Sequence, residues 1–210
     1  MKKLLLLKSS ILGDASVSSE LADELVQELN REKSVRSEVL VRNLDQQSVP
    51  HLDGAWLAAL MTPEADRTDE QQRKVAFSDQ LIREVQEAST LVITAPMYNF
   101  SIPSSLKAWN DHVARAGTTF KYTEQGPVGL LTDKKVYLIV TMGGAHEARI
   151  SDFVTPYLKT FLNFIGLKDV EVITANQLNM GDEFRAAGIN HARQQIEEIS
   201  RTDLDTNQAA

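Results

Sequence analysis

Apolar residues occur along this chain in short unbroken runs that alternate with longer stretches of helical period. Leu4–Leu7, Leu91–Ala95 and Val136–Thr141 are runs of the length and branching expected for central strands covered on both faces. Val35–Val41 alternates Val35, Val39 and Val41 with polar neighbours and predicts a more exposed, edge-lying second strand; Val170–Ala175 predicts a fifth. Between them, Leu21, Leu25 and Leu29 recur at i, i+4, i+8 within a helix over 18–33. Thr68-Asp69-Glu70-Gln71 has capping-box spacing before a helix whose apolar face is Val75, Leu81, Ile82 and Val85. Pro103 opens a helix to Ala114 with Leu106, Trp109 and Val113 on one side, Ser151 caps another to Ile165, and Asp182–Arg201 forms the last.

The remainder is less regular. Residues 43–67 contain Pro50, Gly54 and Pro63 around a short helix at Trp56–Met61, Gly117–Thr132 reads as a loop, and 202–210 as a frayed tail. Five strands alternating with helices imply a parallel sheet with helices on both faces, here a single domain over 1–210. The count favours the three-layer, flavodoxin-like strand order 2-1-3-4-5, whose switch point lies between the first and third strands. Ligands of such sheets sit beyond the carboxyl ends of the strands. Three loops therefore converge on one crevice: 9–18, 96–100 and 141–144.

Composition narrows the function. A net charge of −7 over 210 residues argues against a nucleic-acid or polybasic membrane surface. Without cysteine there is no disulfide, thiolate nucleophile or zinc–thiolate site. Met1-Lys2-Lys3 before Leu4–Leu7 has the look of a signal peptide, but the run is short and Lys8-Ser9-Ser10 breaks it. The expected location is cytoplasmic, with no membrane span. No His, Asp and Glu cluster has metal-ligand spacing, which disfavours a phosphodiester hydrolase.

Each loop offers particular chemistry. In the first, Ser10, Ser16 and Ser18 stand before a helix whose N-terminal amides suit a phosphate, or they serve only as turn and cap residues. Lys8 is the lone cation there and Asp14 a discordant carboxylate, so neutral donors would do the holding. In the second, backbone amides of Met97–Phe100 and the Asn99 side chain suit ring heteroatoms, with Tyr98 and Phe100 as apolar walls. In the third, Gly143-Gly144 lets a ligand approach the backbone closely, and His146 stands at the far end.

The segments KSSILGDASVSSELAD, APMYNFSIPSSLKAWNDHVARAGTTFKYTEQGP and TPYLKTFLNFIGLKDV together resemble the bacterial FMN-dependent NADH azoreductases. These flavodoxin-like enzymes also reduce quinones and were once labelled acyl-carrier-protein phosphodiesterases. The resemblance is collinear over nearly the whole chain. It implies a homodimer with one FMN per subunit, each site completed by the other subunit, with NADH or NADPH as donor and quinones or azo compounds as acceptors. It places the phosphate contacts on Ser10 and Ser16-Val17-Ser18, and the ring contacts on Pro96-Met97-Tyr98-Asn99-Phe100. Further contacts fall on Thr141-Met142-Gly143-Gly144 and His146, and substrate-side aromatics on Tyr122 and Phe164; Phe120, aromatic in the same loop as Tyr122, is a substrate candidate beside them. Family members commonly have Ser-Arg at the positions of Thr141 and Met142, so a positive charge is missing here. No nucleophile–base pair is needed if the cofactor carries the chemistry; His146 and Tyr122 are the candidates to position the acceptor or relay a proton. The rival reading is an FMN electron shuttle without small-molecule turnover, against which the aromatic 120–122 segment counts. On the 151–165 helix, Val154, Leu158, Phe161 and Ile165 form one apolar stripe and Phe153, Tyr157 and Phe164 a second. The second stripe meets a partner, lines the cleft, or is buried within the subunit.

Overall fold

The computed structural model describes residues 2–31, 36–146 and 151–208, with side chains through 201. Five strands form a parallel sheet: β1 (Lys3–Lys8), β2 (Glu38–Asn43), β3 (Thr90–Pro96), β6 (Lys135–Thr141) and β7 (Asp169–Ala175), in the order β2-β1-β3-β6-β7. Counted within this sheet alone, that is the 2-1-3-4-5 order the sequence implies. Val35, the first residue of the predicted second strand, lies outside the described residues. β2 is an edge strand, with Leu40 and Val41 both more than 40% exposed.

Alternation along the central strands splits the core into two layers. Leu5, Leu7, Leu91, Ile93, Leu138 and Val140 pack against α3 (Asp69–Glu87), α4 (Ser104–Val113) and α5 (Val154–Ile165). Leu4, Leu6, Val92, Ile139 and Ile173 pack against α1 (Val17–Arg31) and α6 (Asp182–Gln208). A run apolar at every position thus serves both faces. The Thr68 capping box forms in full: Thr68 Oγ1 accepts from the Gln71 N–H and Gln71 Oε1 from the Thr68 N–H. The last helix continues to Gln208, beyond the Arg201 end read from the sequence.

Three local expectations are corrected. Gly117–Thr132 is not a plain loop but holds an antiparallel hairpin, β4 (Phe120–Thr123) and β5 (Gly126–Gly129). Ser151 does not cap α5; the Asp152 carboxylate accepts from the N–H groups of Val154 and Thr155, both at 3.0 Å. A carboxylate two residues before the helix also suits its positive end. The buried stripe of α5 is Val154, Leu158, Leu162 and Ile165, while Phe161 is only partly buried.

The short helix α2 (Gly54–Met61), capped by Asp53, leans its Trp56 ring against His112 at a centroid distance of 4.6 Å. His112 is 1% exposed, and its Nε2–H donates to the Pro50 carbonyl at 2.9 Å. Burial lowers its pKa, only partly opposed by that carbonyl. The unfolded chain therefore binds the extra proton. Stability is complete above the ordinary histidine value of about 6.5 and declines as pH falls through it toward the depressed folded value. The melting temperature is expected to drop less between pH 7.5 and 5.5 in His112→Gln than in the parent; equal drops would remove His112 as the cause.

Candidate functional site

The rim at the carboxyl ends of β3, β6 and β7 carries the site. After β3, Tyr98 and Ser101 exchange backbone hydrogen bonds (2.9 and 3.0 Å) across a tight turn. Its two central residues, Asn99 and Phe100, have φ of +51° and +66°. Positive φ at both positions is what a type I′ turn requires, and it is uncommon for a bulky side chain. Among the described residues the N–H groups of Asn99 and Phe100 have no partner. The Phe100 ring is 58% exposed. Pro96 ends β3 in register with Thr141, and the Met97 N–H donates to the Thr141 carbonyl at 2.8 Å, locking this turn to the third loop.

That third loop lies beside it. Gly143 and Gly144 are tied by their carbonyls to the N–H groups of Asn179 (2.9 Å) and Gln177 (3.1 Å). A Cβ on Gly143 would stand 2.6 Å from Asn179 Nδ2, and one on Gly144 3.2 Å from His146 Nε2. The absence of side chains here admits both groups to the rim. His146 Nδ1 is 3.1 Å from Ser151 Oγ, and its backbone is clasped by the Asn176 amide. Its ring meets Phe100 edge-on at 5.8 Å.

Met97, Asn99, Phe100, Gly143, Gly144 and His146 line one cavity of about 410 Å³, joined there by Asn179 and Met180. The last two were not anticipated. The rim rule, applied to the end of β7 as it was to β3 and β6, would have pointed to them. Met142 does not face this cavity: its side chain is 2% exposed and packed in the core beneath. The missing arginine is therefore replaced by a core residue rather than by another rim group.

The first loop is built around its own serines. Ser16 Oγ accepts from the Ser19 N–H at 3.1 Å, which makes Ser16 the N-cap of α1. It also meets Ser18 Oγ at 3.1 Å, and Ser19 Oγ donates to the Gly13 carbonyl at 2.8 Å. Ser10 Oγ lies 2.9 Å from the Tyr98 hydroxyl and is the bridge to the second loop. Ser10, Ser16, Val17 and Ser18 do not line the cavity. Lys8 sends its ammonium to Asp14 (2.7 Å) and Asp23 (2.9 Å). Burial would lower its pKa, but these two carboxylates outweigh it and raise the value above that of ordinary lysine.

The predicted substrate aromatics form a third group. Phe120 packs against Phe164 with the rings tilted by 44° at 4.3 Å, and meets Tyr122 edge-on at 5.4 Å. Phe120 is 7% exposed and Tyr122 75% exposed. None of the three lines the cavity of its own chain, and Tyr122 is not brought together with His146.

A parallel sheet in this order, with a cavity at the rim between loops from adjacent strands, defines a flavodoxin-like protein, and residues 2–199 match the family model for the flavodoxin-like fold. The chain is 50% identical over 186 residues to an FMN-dependent NADH:quinone oxidoreductase of Cellvibrio japonicus, covering 89% of this chain and 93% of that one. It is 46% identical over 199 residues to an enzyme of the same name from Escherichia coli O6:K15:H31, covering 95% and 98%. Among solved structures, an FMN-dependent NADH-azoreductase of Bacillus anthracis in complex with FMN matches with a TM-score of 0.86 at 27% identity, covering 96% of this chain and 99% of that chain. The chain belongs to the family of FMN-dependent NADH azoreductases and NADH:quinone oxidoreductases. Among the described residues no helix is long and apolar enough to cross a membrane.

Proposed function

We propose that this protein is a cytoplasmic, homodimeric FMN-dependent oxidoreductase that uses NADH to reduce quinones and azo compounds. One observation carries the reading. Two unpartnered backbone N–H donors, on Asn99 and Phe100, sit in a strained turn lining the same cavity as Gly143 and Gly144. Strain held at a rim turn is characteristic of sites that grip a ligand. The donor set suits FMN: amides for ring heteroatoms at one end, and neutral hydroxyls with a helix N-terminus for a phosphate at the other.

When bound, FMN supplies the two-electron redox chemistry between NADH and the acceptor. The chain supplies grip and position. Asn99 and Phe100 would hold the ring edge through their unpartnered N–H groups, which favour negative charge on it. Ser10, Ser16, Ser18 and the first amides of α1 hold the phosphate end, with Val17 giving its backbone; Pro96, Met97, Tyr98, Thr141 and Met142 act by fixing the loops. His146, oriented by Ser151 and Asn176, positions the acceptor or passes it a proton from Nε2. Phe120, Tyr122 and Phe164 would form the acceptor-side wall of the neighbouring subunit's site, since they do not face their own. The names of the relatives favour this enzyme over an electron shuttle.

The test is spectroscopic. Purified protein, reconstituted with FMN, is expected to show flavin bands that NADH bleaches anaerobically and menadione restores over many turnovers. A protein that takes up no FMN overturns the proposal, and His146→Ala turning over as fast as the parent removes the histidine from its role.

A further inference from the structure

Lys8, Asp14 and Asp23 are unabsorbed by the site as described. Lys8 ends β1 with its side chain 7% exposed, and its two ion pairs run to different elements. Asp14 lies in the 3₁₀ turn Gly13–Ala15, and Asp23 lies in α1. That turn is pinned to the first turn of α1 by the hydrogen bond from Ser19 Oγ to the Gly13 carbonyl. Asp14 is two residues from Ser16, no more than about 7 Å of extended chain. A lysine paired with two carboxylates has a net charge of −1. Other charges nearby do not cancel it. Asp45 Oδ2 lies 3.5 Å from where a Cβ on Gly13 would stand, and Glu20 is paired with Arg193. Among the described residues of this loop, neutral hydroxyls and the positive end of α1 stand against it.

We propose that Lys8, Asp14 and Asp23 set the charge beside the phosphate end of the FMN site, Lys8 positioning the loop and Asp14 holding the phosphate grip weak. This rests on the FMN reading above. A flavin phosphate is an anion close to −2, and at low salt a carboxylate within about 10 Å repels it. Lys8 offsets about half of the negative charge of Asp14 and Asp23 while tying the 3₁₀ turn to the helix that supplies the amides. The consequence is a cofactor whose affinity responds to charge at its phosphate end.

Comparing FMN with riboflavin, which lacks the phosphate, separates charge from structure. Dissociation constants are measured by flavin fluorescence quenching at about 20 mM and about 500 mM NaCl, where the screening length falls several-fold. Asp14→Asn is expected to tighten FMN about three- to tenfold at low salt. Lys8→Gln is expected to weaken it by a similar factor. Riboflavin should change less than about twofold in both, and the FMN differences should shrink at high salt. FMN and riboflavin moving together would make the triad a structural clamp and overturn the proposal, as would no movement at all. If Lys8→Gln does not fold, Asp14→Asn decides, since the Asp14 side chain is 66% exposed. A parent protein that binds neither flavin would overturn the FMN reading itself, and the triad's role with it.

Discussion

Asn99→Pro is expected to lose FMN affinity by at least about 100-fold while the melting temperature of the protein without flavin falls by no more than about 10 °C. Proline fixes φ near −65° and has no N–H; Asn99 stands at +51° with an unpartnered N–H at the cavity. The substitution therefore abolishes the turn conformation and one of the two unpartnered donors together. A lost hydrogen bond to a ligand with charge on it is about 1.5 kcal/mol, and distortion of the turn adds a similar amount. About 3 kcal/mol corresponds to roughly 100-fold in a dissociation constant. The core is untouched because Asn99 is exposed. Asn99→Gly, which keeps the N–H and accepts positive φ, should bind FMN within several-fold of the parent. Flavin fluorescence titration measures both. Parent-like binding by Asn99→Pro would dissociate the turn from cofactor capture.

A second large effect is structural. Gly129→Ala is expected to destabilise the protein by about 2–4 kcal/mol, a fall of roughly 5–15 °C in melting temperature for a chain of this size. A Cβ at 129 would stand 2.0 Å from the Gly166 nitrogen and 2.4 Å from both Gly166 Cα and the Ile165 carbonyl carbon. These are backbone atoms at the end of α5, and they cannot swing aside. Either β5 lifts away or the end of α5 shifts. Lifting breaks the bond from the Leu131 N–H to the Ile165 carbonyl (3.0 Å) and parts Phe120 from Phe164. Gly54→Ala is the control, because nothing lies within 4 Å of the added carbon. Scanning calorimetry decides: a change below about 2 °C for Gly129→Ala would mean that the hairpin docks more loosely than its geometry implies.

The sheet was legible because its central strands are buried on both faces, so Leu4–Leu7 and Leu91–Ala95 leave continuous apolar runs. Thr68 and Gln71 announced α3 for a similarly local reason: both halves of the cap are written in four residues. The β4–β5 hairpin was not legible. Its strands are four residues each, and within β4 only Phe120 is buried, too little for a period to register. At the start of α5, Ser151 and Asp152 are adjacent acceptors, and only the backbone path selects the aspartate. Phe161 and Leu162 are likewise one residue apart, so a small change of helix phase decides which is buried. The rim turn was legible as residue types, yet nothing in Asn99-Phe100 dictates that a phenylalanine adopt positive φ. Asp14 read as an intruder in an anion loop because its partner, Lys8, is the end of a buried strand and turns back beneath the loop.

Asn179 and Met180 border the cavity from a turn of their own, apart from the segments proposed to grip the phosphate and the ring edge. Such separation lets selectivity drift in one place while cofactor retention is conserved in another. Neither residue belongs to the two packed core layers, so exchanges at 179 and 180 are expected to alter the cavity wall without taxing the fold. The scaffold is in this sense modular at its rim: new acceptor preferences are within reach of a few surface replacements, with no redesign of the interior.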